Sequence, residues 1–438
     1  MDNKKMETVV LGNATVKEML NCMKAVKKPE NHALFKFYTR KNKKDKAVHT
    51  ITAVGDGIMI EKAFLSSIPK GIEVKGDKPL FETVCGMPEM LEKLSAVVSL
   101  GEDIRINNQE AILQVQAGKR AAVKVNKCQP AEMEAFLPQN AENVLFNMVI
   151  KGKDFKNMVK KGCFAYGEDS PNMMGSITFV LNDCCLTAYS TDGHMMARSS
   201  CVVQREDVER EVLDDEGNPV LAEDGNQKME NVFLKYCEEK DYDPSSYVFS
   251  IPSGNFKILE TLSQAAENII VSVCPKQILI GLPAIMITIV SGNVNGNEGS
   301  SFGNFFTKAS KDTFVIDKEE FSANMEVIRL GKEEPVSFQI KKDNLIIQKG
   351  DVAMTSQPLV DKEGSFEKPF YLDYKKLIKI FGSLENGNVT VETTGPKSQV
   401  FFYNGELDTE RINASLVLPV SGVEEAEESS GEEEDTEE

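Results

Sequence analysis

The chain has 438 residues, of which 41% are hydrophobic and 27% charged, so it is long enough for two or three domains with separate cores. Nine cysteines without a C-x-x-C pair indicate buried reduced thiols and argue against a disulfide framework or a structural zinc site. We expect a cytoplasmic protein, because no apolar run approaches the roughly 18 residues of a membrane span and MDNKKMETVV lacks the apolar core of a signal peptide.

The net charge of −18 first argues against a nucleic-acid partner, but the acidic residues are unevenly distributed. Residues 423–438 hold ten acidic residues and no basic one, and residues 204–246 hold fourteen acidic and five basic residues. Because these segments carry −10 and −9, the rest of the chain carries +1. A nearly neutral body can concentrate its lysines locally, so nucleic acid remains a candidate partner.

Four segments are predicted as amphipathic helices. Thr15 and Glu18 predict a capping box for the first, and Asp317 and Glu320 predict another. In KGKDFKNMVKKG and DYKKLIKIFG, apolar residues at helical spacing lie opposite a row of lysines, and Gly382 predicts the end of the second of these helices. The predicted buried faces are Val16, Met19, Leu20 and Met23; Phe155, Met158 and Val159; Phe321, Met325 and Ile328; and Tyr374, Leu377, Ile378 and Phe381.

Three stretches are predicted as β-hairpins: HTITAVGDGIMIEKAF, GSITFVLNDCCLTAYSTDG with its turn at Asn182-Asp183, and DNLIIQKGDVAMTSQPL. In the second, Ile177, Phe179 and Leu181 alternate with smaller or polar residues. The recurring order of helix and hairpin predicts an α+β fold built from an internal repeat of roughly 110 to 150 residues. We expect three similar domains at 1–142, 143–310 and 311–422, an acidic insertion at 204–246 and a disordered acidic tail at 423–438.

Catalytic and metal-binding signatures are missing from the sequence. The three histidines lie in different contexts, the acidic loop LDDEGNPVLAEDGN lacks calcium-loop spacing, and no phosphate-binding loop or nucleophile elbow occurs. The stretch Thr191-Asp192-Gly193-His194 allows either a catalytic site or an Asp-Gly turn followed by a partly buried histidine. Two methionines after it favour an adaptable apolar binding surface. We therefore expect no catalytic residue, metal or cofactor.

The motif TDGHMMA at residues 191–197 resembles the Thr-Asp-Gly-His-Arg-Leu-Ala motif of bacterial sliding clamps, the β subunit of DNA polymerase III. The stretch FYLDYKKLIKIFGSLENGNVTVETTGPKSQVFFYN, followed by SLVLPV, is similar to the last helix, hairpin and terminal strand of that family. The segment QPAEMEAFLP carries a weaker similarity in the first domain. The resemblance implies three clamp domains per chain, with helices lining a central hole, sheets outside, and two chains closing head to tail into a homodimeric ring.

The resemblance also implies a function without chemistry. Such a ring encircles double-stranded DNA without reading its sequence, tethers the replicative DNA polymerase as a processivity factor, and is assembled by a clamp loader. Lysine-bearing helix faces suit this role, because ammonium groups contact phosphates without reading bases. The implied DNA-facing lysines are Lys17, Lys24, Lys28, Lys153, Lys156, Lys160, Lys375, Lys376 and Lys379. The implied pocket for partner peptides comprises Met174, Thr191, Gly193, His194, Met195, Met196, Tyr374, Leu416, Leu418, Pro419 and Val420.

The sequence departs from the family pattern at several positions. Met195 stands where the family has arginine, Phe302-Gly303-Asn304-Phe305 replaces Phe-Pro-Asp-Tyr, and Ser421-Gly422 replaces a basic residue. Helices predicted at 81–94, 256–266 and 318–329 have mixed charge. Leu416 and Leu418 alternate on a strand and are also consistent with an ordinary core. The main alternative is therefore a clamp-fold scaffold that binds proteins and not DNA; an enzyme using Asp192 and His194 is a more distant one.

Overall fold

The computed structural model describes residues 8–26, 34–41, 46–55, 57–67, 81–129, 144–167, 172–214, 216–222, 224–291, 300–307, 312–330, 335–351, 353–364, 368–405 and 413–420. The chain divides into two compact units. Unit 1 comprises Met1–Lys153, Val203–Pro244 and Gly254–Val294, and unit 2 comprises Asp154–Val202, Ser245–Ser253 and Asn295–Glu438. The predicted DNA-facing Lys28 and the acidic tail at 423–438 lie outside the described residues.

The described residues form seven α-helices and confirm the α+β class. The helices are α1 (Asn13–Ala25), α2 (Met87–Val98), α3 (Gly152–Gly162), α4 (Val232–Lys240), α5 (Ser253–Ser263), α6 (Lys318–Ile328) and α7 (Tyr374–Ser383). Two 3₁₀ helices cover Asn172–Gly175 and Ser300–Phe306. In the part of the chain that the structure describes, no helix combines the length and apolar character needed to cross a membrane.

The strands follow one another in short antiparallel ladders. They are β1 (Thr8–Leu11), β2 (Leu34–Lys41), β3 (Lys46–Gly55), β4 (Ile58–Ser67), β5 (Phe81–Gly86), β6 (Ile104–Asn108), β7 (Ile112–Ala117), β8 (Ala121–Asn126), β9 (Phe146–Lys151), β10 (Ser176–Asn182), β11 (Cys185–Thr191), β12 (Met195–Val202), β13 (Gln204–Asp207) and β14 (Glu209–Glu211). The second half contains β15 (Met229–Asn231), β16 (Ser246–Pro252), β17 (Asn268–Val273), β18 (Gln277–Leu282), β19 (Ile285–Val290), β20 (Asp312–Asp317), β21 (Val336–Lys341), β22 (Asn344–Lys349), β23 (Ala353–Pro358), β24 (Asp361–Glu363), β25 (Phe370–Leu372), β26 (Asn388–Thr393), β27 (Val400–Asn404) and β28 (Ala414–Val417).

Each unit contains one nine-stranded sheet and one four-stranded sheet. In unit 1 the orders are β13-β9-β17-β18-β19-β4-β3-β2-β5 and β1-β6-β7-β8. In unit 2 they are β16-β10-β11-β12-β28-β27-β26-β20-β24 and β23-β22-β21-β25. The pairs β19·β4 and β12·β28 each join strands from two different predicted domains by backbone hydrogen bonds. The three-domain division stays a prediction, and the nine-stranded sheets are continuous across its borders.

The buried faces of the predicted helices are confirmed with one exception. On α7, Ile378 is 42% exposed and Ile380 is fully buried, so the prediction that Ile378 points inward is wrong. Leu377 and Phe381 are buried as expected, and the Phe381 ring stacks on Phe321 of α6 at a centroid distance of 3.9 Å. The aromatic core of unit 2 therefore fixes the two helices against each other.

Two predicted helix starts have different outcomes. Asp317 caps α6 by accepting a hydrogen bond from the Glu320 backbone N–H at 2.8 Å, as expected. The box at Thr15 is wrong, because α1 begins at Asn13, whose side-chain amide donates to the Val98 and Glu102 carbonyls. The helix predicted at 81–94 is also wrong in its first part, because residues 81–86 form β5 beside β2.

The three predicted hairpins form, at β3–β4, β10–β11 and β22–β23. The turn between β10 and β11 is Asp183-Cys184, one residue later than predicted, with Asp183 at φ 49°. The predicted alternation in β10 is also incomplete, because Thr178 and Val180 are buried along with their neighbours. Both faces of this strand are therefore covered.

The acidic segment 204–246, predicted as an insertion, contains strands and a helix. Strand β13 belongs to the nine-stranded sheet of unit 1, β14 pairs with β15, and α4 follows. Phe233 of α4 is fully buried, and its ring lies edge-on to Phe146 of β9 at 5.2 Å. The insertion is thus attached to the sheet through aromatic packing.

The nine cysteines are free thiols with mixed exposure. The prediction of buried thiols is correct for Cys22, Cys85 and three others, and wrong for Cys184 and Cys185, which are exposed at the hairpin tip. In unit 1, His49 is 1% exposed and its Nδ1 lies 2.9 Å from Thr39 Oγ1. Burial lowers the pKa of His49 to about 4, so this histidine is neutral in the folded protein.

Candidate functional site

The turn that carries Asp192 and His194 is closed by its own side chains. Asp192 Oδ1 accepts hydrogen bonds from the backbone N–H groups of His194 at 2.9 Å and Met195 at 2.7 Å. Thr191 Oγ1 donates to the Met195 carbonyl at 2.9 Å and accepts from the Gly193 N–H at 3.1 Å. Gly193 has φ 88°, which favours glycine. The Asp192 carboxylate therefore shapes a turn, which favours the binding interpretation over the catalytic one.

The imidazole of His194 is exposed rather than partly buried. Its backbone carbonyl accepts a hydrogen bond from the Leu418 N–H at 2.8 Å, and the Val420 N–H donates to the Tyr371 carbonyl at 2.8 Å. In the adjoining ladder, Met196 lies opposite Leu416. The structure thus places the Thr191–Met196 segment directly beside the last described residues, although more than 200 residues separate them in sequence.

The two methionines after the turn point to opposite faces of the sheet. Met195 is 1% exposed and belongs to the core of unit 2 with Phe314 and Phe402. Met196 is 5% exposed and packs on the other face with Leu416, which is 4% exposed. Met195 is therefore enclosed in the core, and Leu416 fits the ordinary-core alternative as the floor of the opposite face.

An accessible surface remains around the turn. Met174, Leu418 and Val420 are 44%, 38% and 38% exposed, and Pro419 is half-buried. The terminal methyl of Met174 lies 3.2 Å from the position that a Cβ on Gly193 would occupy, so these two residues are in contact. Exposed apolar side chains beside exposed backbone and one imidazole suit the binding of a peptide.

Tyr374 has contacts that differ from those of this surface. It is the first residue of α7, it packs against the core of unit 2, and its hydroxyl donates to the Met325 carbonyl at 3.4 Å. The Lys349 ammonium lies 4.5 Å from its ring centroid, and burial raises the pKa of the phenol. Tyr374 thus has a structural explanation independent of a peptide pocket.

Sequence reasoning missed an aromatic cluster on the same face as Met196. Phe306, in the 3₁₀ helix Ser300–Phe306, is fully buried with Tyr189, Phe401 and Tyr403. The Tyr189 and Phe302 rings are 5.7 Å apart, and the Arg198 guanidinium lies within 6 Å of the Tyr189 and Phe306 ring centroids. The available signal was the density of phenylalanine in SFGNFF.

No known protein-family profile matches the sequence, and no curated protein is detectably similar to it in sequence. Solved structures, by contrast, match over almost the whole chain. The DNA polymerase sliding clamp of Bacillus subtilis matches with a TM-score of 0.68 and 15% identity, covering 95% of this chain and 99% of that one. The DNA polymerase III β subunit of Thermotoga maritima gives 0.70 and 11%, covering 95% and 100%. The chain has the sliding-clamp fold.

The sliding-clamp fold also occurs with a bound peptide among these structures. The Helicobacter pylori β clamp, solved with a DNA ligase peptide, matches with a TM-score of 0.69 and 12% identity, covering 95% of this chain and 100% of that one. At such low identity the similarity concerns the fold. The resemblance detected in the TDGHMMA motif and the terminal strand is therefore matched by the fold of the chain as a whole.

The lysines predicted to face DNA have different environments within this sliding-clamp fold. Lys17, Lys24, Lys153, Lys156, Lys160, Lys375 and Lys379 are exposed. Lys376 is only partly exposed and lies 3.7 Å from Asp192 Oδ2, so its charge is already partly compensated. Burial, and then the nearby Lys160 ammonium, lowers the pKa of Lys318 at the start of α6. The ammonium groups of Lys160 on α3 and Lys318 on α6 are therefore close enough to repel each other.

Two further observations concern the acidic side chains: one ion pair, and the arrangement of residues that could bind a metal. Glu385 forms an ion pair with Lys161 at 2.7 Å, and this hydrogen bond and charge lower the pKa of the Glu385 carboxyl. Among the residues that the structure describes, no group of three or more His, Cys, Asp and Glu side chains is arranged to hold a metal ion.

Proposed function

We propose that the protein is a sliding clamp: a non-catalytic ring that encircles duplex DNA and tethers a replicative DNA polymerase and other partners. The observation that carries the proposal is the match to sliding clamps over 95% of this chain and essentially all of theirs. A ring retains DNA by topology, so its contacts need only be numerous, weak and independent of sequence.

Partner peptides would bind at the surface formed by Met174, Gly193, His194 and residues 418–420. This assignment is supported by the exposed apolar side chains there and by the hydrogen bond that joins Leu418 to His194. We expect a short peptide containing glutamine and leucine, with the leucine in contact with Met174 and Leu418. The imidazole and the exposed backbone of the turn would contact its polar groups.

Ring closure would use two edge strands. β8 ends the four-stranded sheet of unit 1, and β23 ends that of unit 2. Most side chains of both strands are exposed or half-exposed, and no other strand among the described residues pairs with their outer edges, which favours pairing with another strand. We propose that β8 of one copy pairs with β23 of a second, giving a head-to-tail homodimer.

DNA retention tests the proposal directly. A clamp loaded on primed circular DNA by a clamp loader should remain bound after gel filtration and be released when the circle is linearised. Changing Lys156, Lys160, Lys375 and Lys379 to Glu should abolish retention on the circle, since the faces assigned to the hole would then repel phosphates. Lys376 is left unchanged because it contacts Asp192.

The matched control carries four Lys→Glu changes at exposed positions elsewhere: Lys119, Lys240, Lys276 and Lys341. It alters the net charge equally and should leave retention intact. Equal loss in both variants would make the effect one of total charge and refute the assignment of α3 and α7 to the hole. If both variants are retained on the circle as well as the unaltered chain is, the assignment of α3 and α7 to the hole is also refuted.

The peptide surface has a separate test. Leu418→Asp should abolish binding of a glutamine- and leucine-containing peptide in fluorescence anisotropy, because it places a carboxylate in the apolar surface. Leu418 suits this test better than Met196, whose burial means that Asp would destabilise the fold. Leu330→Asp, at a position 75% exposed, is the control and should bind normally. Unchanged affinity of Leu418→Asp would place the peptide elsewhere.

The second candidate is a clamp-fold scaffold that binds proteins and not DNA. It is favoured by the mixed charge of α6, where Glu319, Glu320 and Glu326 outnumber Lys318. It predicts peptide binding by the unaltered chain, a monomeric mass at micromolar concentration and no difference in retention between circular and linear DNA. A two-chain mass with release on linearisation excludes it.

A further inference from the structure

The insertion between β13 and α4 contains a tandem repeat of eight residues. VLDDEGNP at 212–219 is followed by VLAEDGNQ at 220–227, and Lys228 and Met229 come next, at the positions where a further copy would begin. One two-stranded ladder and two isolated bridges result: β14 pairs with β15, Leu213 with Pro219, and Leu221 with Gln227. The repeat in sequence therefore corresponds to a repeat in structure.

Backbone hydrogen bonds join Val212, Val220 and Lys228 in a closed triangle, and these three residues are its corners. The Val212 N–H donates to the Lys228 carbonyl at 2.9 Å, the Val220 N–H to the Val212 carbonyl at 2.8 Å, and the Lys228 N–H to the Val220 carbonyl at 2.8 Å. At the two connecting turns, Asp214 and Asp224 accept hydrogen bonds from backbone N–H groups of Asn218 and Asn226. The insertion is thus a built element with satisfied backbone groups at its corners.

The residue after each corner is apolar and exposed. Leu213, Leu221 and Met229 are 55%, 63% and 47% exposed, and Leu234 at the start of α4 is 50% exposed. Hydrogen-bonded strands lie about 4.8 Å apart and consecutive Cα atoms about 3.8 Å, so the Cα atoms of the three residues that follow the corners lie within roughly 13 Å of one another. Three large apolar side chains exposed at equivalent positions of the triangle make a candidate apolar patch, of the kind that marks an interaction surface.

The charge around this patch limits what can bind there. The segment 204–246 carries a net charge of −9, and carboxylates within it already pair with basic side chains, Asp207 with Arg205 and Glu230 with Lys235. Like-charge repulsion disfavours nucleic acid, an anionic membrane and a second copy of the same patch. An apolar surface surrounded by carboxylates is complementary to a surface that combines leucine with lysine or arginine.

We propose that Leu213, Leu221 and Met229 form a docking surface for a basic, leucine-bearing helical segment of a partner protein. The surface belongs to unit 1, whereas the peptide surface around His194 belongs to unit 2, so the proposal does not depend on the clamp function. The apolar contacts would set the dissociation rate, and the carboxylates would accelerate association in a salt-dependent manner.

The probe is a fluorescent 14-residue peptide with leucine at i, i+3, i+4 and i+7 and lysine elsewhere, titrated with the full-length chain. Changing Leu213, Leu221 and Met229 to Ser should weaken binding at least tenfold at physiological salt. The matched control changes Leu65, Val202 and Leu330 to Ser, which are 64%, 75% and 75% exposed, and should bind as the unaltered chain does. Thermal unfolding of both triple variants checks that the fold is retained.

Two further measurements distinguish apolar docking at this surface from nonspecific electrostatic binding. A peptide of the same composition with its leucines scrambled should bind at least tenfold more weakly, and a chain with the ten acidic residues of 423–438 changed to Gln or Asn should still bind. Equal binding of the scrambled peptide, equal binding by the Leu213/Leu221/Met229 variant, or loss of binding with the neutral tail would each overturn the proposal. None of these readouts involves DNA retention, so failure here is distinct from failure of the clamp function.

Discussion

Replacing Asp192 tests whether its carboxylate shapes the binding turn. In Asp192→Ala, the N–H groups of His194 and Met195 lose an acceptor at 2.9 and 2.7 Å. A hydrogen bond to a charged group contributes about 1.5 to 3 kcal/mol, and water can replace part of this at an exposed turn, so we expect a loss of about 2 kcal/mol. The ion pair with Lys376 is long and partly exposed, and adds about 0 to 1 kcal/mol.

Asp192→Asn separates these contributions, because its amide oxygen can accept the same two hydrogen bonds while the ion pair is lost. We expect Asn to lower the free energy of unfolding by less than about 1 kcal/mol, and Ala by about 2 kcal/mol. Urea unfolding followed by circular dichroism measures both, and peptide anisotropy should rank the variants in the same order. If Ala and Asn have equal effects, the hydrogen bonds contribute nothing and the turn is held by other contacts.

Three further perturbations address the turn, a buried histidine and the acidic tail. Gly193→Ala should cost about 1 to 2 kcal/mol in urea unfolding, since it combines a positive φ with contact to Met174; Gly217→Ala, at φ 84° with open space around it, should cost less and isolates the backbone strain. Burial lowers the pKa of His49 to about 4, whereas the imidazole has a pKa of about 6.5 in the unfolded chain. Below pH 6.5 the unfolded chain therefore binds a proton that the folded protein does not, and the free energy of unfolding decreases as the pH falls towards 4. From pH 7 to pH 5 this loss is about 2 kcal/mol, and it should disappear in His49→Gln when urea midpoints are compared at the two values. Truncation after Gly422 should strengthen nonspecific DNA association at low salt and raise the partner association rate more than it changes dissociation; identical binding curves at low salt would show that the ten carboxylates act only as a solubilising extension.

Much of the local structure follows from periodicity. The buried stripes of α1, α3 and α6 and the three hairpins are readable because one face of each element is apolar and turn residues separate the strands. The wrong predictions concern features that depend on contacts between residues far apart in the sequence. Asn13 starts α1 earlier than Thr15 because its amide reaches carbonyls about 85 residues away. On a helical wheel Ile378 and Ile380 lie on opposite sides of the stripe formed by Leu377 and Phe381, at similar angles from its centre. The sequence therefore does not choose between them, and the packing of Phe381 on Phe321 buries Ile380.

The candidate site was predictable from its motif more than from physical patterning. TDGHMMA suggested a turn, and the structure adds that Asp192 Oδ1 accepts two backbone hydrogen bonds while Oδ2 lies near Lys376. Which methionine faces the core could not be derived from adjacent residues of one type, because strand register alone decides it. The phenylalanine density of SFGNFF indicated a buried segment around Phe306, but its partners Tyr189 and Phe401 come from distant strands and could not be derived from that signal.

The backbone pairing of β12 with β28, and of β19 with β4, limits how the three predicted repeats can be separated. Proteolysis or gene fragmentation near residue 142 or 310 would preserve every helix and hairpin of a repeat and still remove the neighbour of a strand in the middle of a nine-stranded sheet. The released fragments would each expose an unpaired, partly apolar edge, which promotes aggregation. One repeat can therefore acquire an insertion such as 204–246 without affecting the others. Loss or exchange of a single repeat, by contrast, would leave a neighbouring strand unpaired, which is not so for independently folding domains.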